Sequence, residues 1–80
     1  FEKYFNVVYD GFFDRLLKNH PDITLYEMKL CAYIKLNLGS KEIAVYMNIS
    51  PNSVTIARHR LRKKLGLNQE DSLHAYISTI

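Results

Sequence analysis

Eighty residues make one small domain, able to bury roughly 60% of its unfolded surface, which suffices for a modest core without metals or disulfides. The 48% apolar content excludes a disordered tail, and the single cysteine, Cys31, excludes an intramolecular disulfide. The net charge of +3 is a local patch: five Lys or Arg and no acid fall between positions 58 and 64, so the other residues together carry −2. A run of one sign that follows a capped helix start points to a polyanionic partner, nucleic acid ahead of a merely solvated face.

Phe1, Phe5, Val8, Phe12 and Leu16 recur at helical spacing with charges between them, the pattern of an amphipathic helical segment. Asp10-Gly11 interrupts it, and glycine costs on the order of 1 kcal/mol in a helix interior. Two short helices near 1–9 and 10–19 are therefore expected, with Asp10 capping the second. Asn19-His20-Pro21-Asp22 ends the segment, because proline disfavours helical geometry in the residue before it, and His20 reads as loop.

Thr24 is the next N-cap, and Glu27 completes a Ser/Thr-x-x-Glu capping box for a helix over about 25–37. That helix has two apolar faces: Leu30, Cys31 and Ile34 on one side, Leu25, Met28, Ala32 and Leu36 on the other. One face suffices for a surface helix, so the second needs a cover. The Phe-rich N-terminal segment is the expected cover, ahead of self-association. Cys31 reads as a buried small hydrophobe, not a nucleophile.

Leu38-Gly39-Ser40 turns the chain, and residues 41–47 form a short helix with Ile43, Ala44 and Met47 inward. Asn48 stands where the chain needs a residue tolerant of left-handed geometry. Ser50 caps and Pro51 opens a helix over 51–65, in which Val54, Ala57, Leu61 and Leu65 make one narrow apolar stripe. The opposite side collects Asn52, Ile56, His59 and Lys63, flanked by Thr55 and Arg60, a mixture no core would choose. A short helix, a tight turn and a longer basic helix describe a helix-turn-helix. Gly66 stops the helix and Leu67 folds back; Asn68-Gln69-Glu70-Asp71 offers caps for a last helix that buries Leu73, Tyr76, Ile77 and Ile80 and leaves His74 solvated. The fold expected is an all-α small helical bundle containing a helix-turn-helix, with extra N-terminal amphipathic helices.

The run Ile23-Thr24-x-x-Glu27-x-x-Leu30-Cys31-x-x-Ile34, then Leu38-x-x-Lys41-Glu42-Ile43-Ala44, Ile49-Ser50-x-x-Ser53-Val54 and Arg62-Lys63-Lys64-Leu65-Gly66-Leu67 resembles the LuxR/GerE-type DNA-binding domain of bacterial transcription regulators. The resemblance covers residues 23–80 and leaves 1–22 as an N-terminal helical extension packed on the domain. The Phe-rich start and the Arg58-to-Lys64 run are further similar to regulators of Bacteroidetes, in which this domain ends a sensor protein with a periplasmic propeller and a membrane span. The chain opens in mid-helix without methionine and is expected to be a piece of such a longer protein. The resemblance thus implies a cytoplasmic domain, its parent an inner-membrane sensor-regulator. Three departures stand out: Gly39 where the family usually has Ser or Thr, Thr55 where a basic residue is frequent, and Arg58 where an apolar one is.

The resemblance implies double-stranded DNA as partner, with base contacts mainly at Thr55, Ile56 and His59; Asn52 joins them from its place at the helix start. An exposed aliphatic such as Ile56 on a polar face is what contact with a thymine methyl needs. Phosphate contacts are expected from Lys41, Ser53, Arg60, Arg62 and Lys63. For Arg58 two options weigh equally, a DNA contact or an ion pair with Glu42 or Glu27. Homodimerisation on DNA through residues 72–80 is implied by the resemblance, the isolated fragment being a candidate monomer. Two other readings share the fold: a protein-interaction or dimerisation module, and a sigma-factor-like promoter-recognition domain. No enzyme, cofactor or metal is expected, because the three histidines are dispersed and no Cys/His cluster or phosphate loop exists.

Overall fold

A computed structural model describes residues 11–68 and 70–80, and these hold five helices and no strand. In chain order they are α1 (Phe12–Asn19), α2 (Leu25–Lys35), α3 (Ser40–Met47), α4 (Pro51–Lys64) and α5 (Leu73–Ser78). The all-helical bundle agrees with the sequence reading; the helix expected near 1–9 lies outside the described residues.

Each boundary has a local chemical cause. Thr24 Oγ1 accepts from the Glu27 amide at 3.2 Å while Glu27 Oε1 accepts from the Thr24 amide at 2.8 Å, both halves of the capping box that opens α2. Gly39 has no side chain to cap α3, yet its own amide donates to Glu42 Oε1 at 3.1 Å, so half of that box survives. Ser50 Oγ accepts from the Ser53 amide at 3.1 Å with Pro51 at the first helical position of α4. Asn48 closes α3 in the left-handed region, φ 57°, as expected of that position. Gly66 does the same after α4 at φ 76°, and the Leu67 amide bonds back to the Arg62 carbonyl at 2.9 Å, seating Leu67 against the core. The helix itself stops at Lys64, with Leu65 as its cap residue instead of its last member.

Two caps fall elsewhere than the sequence suggests. The N-cap of α1 is Gly11, φ 79°, one residue after Asp10, which itself lies outside the described residues. At α5 the cap is Ser72, whose Oγ accepts from the Ala75 amide at 3.1 Å. Asn68 and Asp71 instead close a turn of their own, the Asn68 amide on Asp71 Oδ2 at 2.9 Å and the Asp71 amide on the Asn68 carbonyl at 3.1 Å. Polar side chains that can bond their own backbone serve turns as readily as caps, and composition does not separate the two.

The core gathers Phe12 and Leu16 of the expected α1 stripe together with Phe13, which that stripe did not include, Leu30, Cys31, Ala32 and Ile34 of α2, Ile43 and Ala44 of α3, Val54 and Leu61 of α4, and Leu73 and Ile77 of α5. Full burial of each large side chain contributes on the order of 1.5–3 kcal/mol, so α1 is an integral layer of the bundle. Long-range polar contacts pin it in place. Arg15 Nε donates to the Ile80 carbonyl at 2.8 Å, and Lys35 Nζ sits 5.4 Å over the Phe12 ring. His20, read from sequence as mere loop, bonds the Tyr76 hydroxyl at 2.7 Å and meets its ring edge-on.

Among the described residues, the second apolar face of α2 is buried at its middle and open at its ends. Ala32 is fully buried and Met28 packs on the core, whereas Leu25 and Leu36 at the two ends are 54% and 38% exposed. The expected cover is the Phe-rich segment, whose first ten residues lie outside the described ones.

Candidate nucleic-acid interface

The apolar stripe of α4 fixes which way the helix faces. With Val54 and Leu61 fully buried, Leu65 nearly so and Ala57 against the core, the helical repeat turns Asn52, Thr55, Ile56, His59, Arg60 and Lys63 outward, and all six are exposed. Ile56 is 45% exposed on this polar face. The four residues read as base contacts therefore share one surface, and no other helix of the described residues covers it.

Two open clefts flank this helix. One, of about 450 Å3, lies between α4 and the start of α2 and is lined by Tyr26, Glu27, Ser53, Ile56 and Arg60 among others. The other, of about 430 Å3, lies between α4 and the start of α5, with Thr55, Arg58, His59, Arg62 and His74 on its walls. A shallower hollow of about 140 Å3 continues along His59, Arg62 and Lys63 to Leu67 and Asn68. The outer face of α4 is thus a ridge between depressions, and Ile56 and His59 stand on its two shoulders.

No family model matches the chain, and no curated protein or solved structure matches it.

Cations crowd the C-terminal half of α4, where the carbonyl end of the helix dipole favours them. They are not equivalent. Lys64 pairs with Glu27 at 2.9 Å, both side chains partly buried, so this charge holds α4 to α2. Arg62 is half-buried and its Nη1 donates to the Asp71 carbonyl at 2.6 Å, which fixes the guanidinium beside the α4–α5 turn. Arg60 and Lys63 are exposed, as is Lys41 at the start of α3. Ser53 is exposed too, its hydroxyl 2.9 Å from that of Ser50 at the cap. Thr55 donates its hydroxyl to the Pro51 carbonyl at 3.2 Å, which orients its methyl and leaves the oxygen able to accept.

Arg58 takes neither of the acids proposed for it. Glu27 is engaged by Lys64, Glu42 caps α3 through the Gly39 amide, and Arg58 makes no salt bridge among the described residues. It is half-buried, and burial first, then the charge of Arg62, draws its pKa below the usual guanidinium value. His74, expected to be solvated, is exposed but also lines the Arg58 cleft. Sequence spacing gave no signal for that, since positions 58 and 74 meet only through the turn between α4 and α5.

Residues 72–80 present a small polar surface. Leu73, Ile77 and Ile80 are buried, leaving Ser72, His74, Ala75, Ser78 and Thr79 outside. Cys31 is fully buried, and burial, with Glu27 nearby, pushes its thiol up to about 12, consistent with a packing role.

Proposed function

We propose that this domain binds double-stranded DNA in a sequence-dependent way, laying α4 in the major groove, as the cytoplasmic output domain of a bacterial transcription regulator of the LuxR/GerE kind. The observation that carries the reading is the outward face of α4: Asn52, Thr55, Ile56 and His59 exposed together on a ridge with a cleft to either side. A major groove about 12 Å wide admits one helix, and depressions beside that helix leave room for the strands that border the groove.

The roles follow from position. Asn52, Thr55 and His59 offer hydrogen bonds to base edges, and Ile56 offers an apolar contact to a thymine methyl. Lys41, Ser53, Arg60, Arg62 and Lys63 surround them and address phosphates, which sets register without reading sequence. One domain makes few base contacts, so two copies on paired half-sites are needed for high specific affinity, with residues 72–80 as the pairing surface.

A titration of labelled random-sequence duplex over a range of salt tests the electrostatic half of the proposal. Four cations in phosphate-facing roles predict that log K falls with log salt at a slope of about −3 to −4. Selection from a random duplex library tests the other half and should enrich a short motif. Salt-independent affinity, or displacement by an acidic protein with no motif enriched, would favour a protein-interaction module.

A further inference from the structure

We infer that the cleft between α4 and the start of α5 is a seat for one backbone phosphate of the bound duplex, gripped by Arg58. The inference rests on the duplex-binding reading of α4.

The cleft is walled by Ser40, Thr55, Arg58, His59, Arg62 and His74, which bring hydroxyls, imidazoles and two guanidiniums together, and no carboxylate lines it. The groups come from α3, α4 and α5, so the donor set is assembled by the fold and not by one charged helix face. Arg58 is the distinctive member. It is half-buried, stands one helical turn from Arg62, and has no carboxylate partner among the described residues. A desolvated cation beside a like charge is unfavourable until an anion arrives, and the lowered pKa of Arg58 reports both effects. The guanidinium stays charged at neutral pH all the same.

A phosphodiester suits this seat because its two non-bridging oxygens match the forked N–H groups of arginine. Position selects a strand of the duplex over a soluble anion. Thr55 and His59 stand on the cleft wall and also on the outward face of α4, so an anion held by Arg58 lies one side chain from the groove-reading residues. That is where the strand bordering the groove must run.

Arg58→Gln and Arg58→Lys test the assignment through the salt dependence of duplex binding. Removing one phosphate contact should lower the magnitude of the slope by about 0.9 and weaken binding to all sequences about fivefold near 0.15 M salt, while Arg58→Lys keeps the slope. Far-UV circular dichroism checks folding of each variant. If Arg58→Gln is unfolded, Arg58→Leu removes the charge with a side chain that Leu73, also lining the cleft, can accommodate. An unchanged slope in the charge-removing variant, while Lys63→Ala lowers its own, overturns the seat and leaves duplex binding intact. No duplex binding by the wild type overturns both. Inorganic phosphate alone is the last arm: saturation of the Arg58 Nε–H resonance at low millimolar phosphate, with the DNA slope unchanged by Arg58→Gln, marks a soluble-anion site and overturns the duplex assignment.

Discussion

Oε1 of Glu27 accepts two hydrogen bonds at once, from the Thr24 amide at 2.8 Å and from Lys64 Nζ at 2.9 Å. One carboxylate thus starts α2 and anchors the far end of α4. Burial raises its pKa, but the Thr24 amide and the Lys64 ammonium outweigh burial and leave it below the ordinary 4.5. A depressed carboxylate contributes stability that is present above the unfolded value, near 4.5, and is lost as pH falls through the lower folded one. Glu27→Gln retains the capping box and loses the charge, and should cost about 0.5 kcal/mol in urea unfolding at pH 7. Glu27→Ala loses the cap as well and should cost about 1 to 1.5 kcal/mol. The gap between wild type and Glu27→Gln should narrow as pH falls below the ordinary carboxylate value and through the lower folded one; a gap independent of pH would assign the effect to packing.

Docking of the N-terminal layer hangs on a second long-range contact. His20 and Tyr76 are 56 positions apart and 2.7 Å from each other. Tyr76→Phe keeps the ring and removes the hydroxyl, leaving a partly buried imidazole without that partner. A loss of about 1 kcal/mol is expected, which for a domain of this size lowers Tm by roughly 4–8 °C. A melting point equal to that of the wild type would show that the contact contributes nothing to holding α1 in place.

The base-reading and phosphate-facing roles proposed for α4 should separate under mutation. His59→Ala should change which duplexes are preferred while non-specific affinity stays within about threefold, since a good base contact carries about 1–3 kcal/mol of discrimination. Lys63→Ala should weaken all sequences alike and reduce the salt slope by about one. Binding measured on a selected motif and on random duplex checks both, and the reverse pattern would exchange the two roles.

Much of this architecture was legible in the residues because the signals were local. Thr24 with Glu27, Ser50 with Pro51, Asn48 and Gly66 each announce a boundary through chemistry confined to one turn, and each boundary lies where that chemistry puts it. The outward face of α4 was legible for the same reason, since Val54 and Leu61 fix its rotation. What stayed hidden is tertiary. The partner of Lys64 is 37 positions away, that of His20 is 56 away, and the cleft around Arg58 and His74 exists only once α5 has packed against α2, beside α4. Near Asn68 the difficulty differed: several residues could cap, and Ser72 does so while Asn68 and Asp71 bond each other in a turn.

The most direct test of groove binding is a chemical-shift map of the amide and side-chain resonances of the domain titrated with a short random duplex. The largest changes should fall on Asn52, Thr55, Ile56 and His59, with smaller ones at Lys41, Arg60 and Lys63. Changes centred instead on the exposed Val45 and Tyr46 of α3, with the outer face of α4 silent, would contradict the assignment.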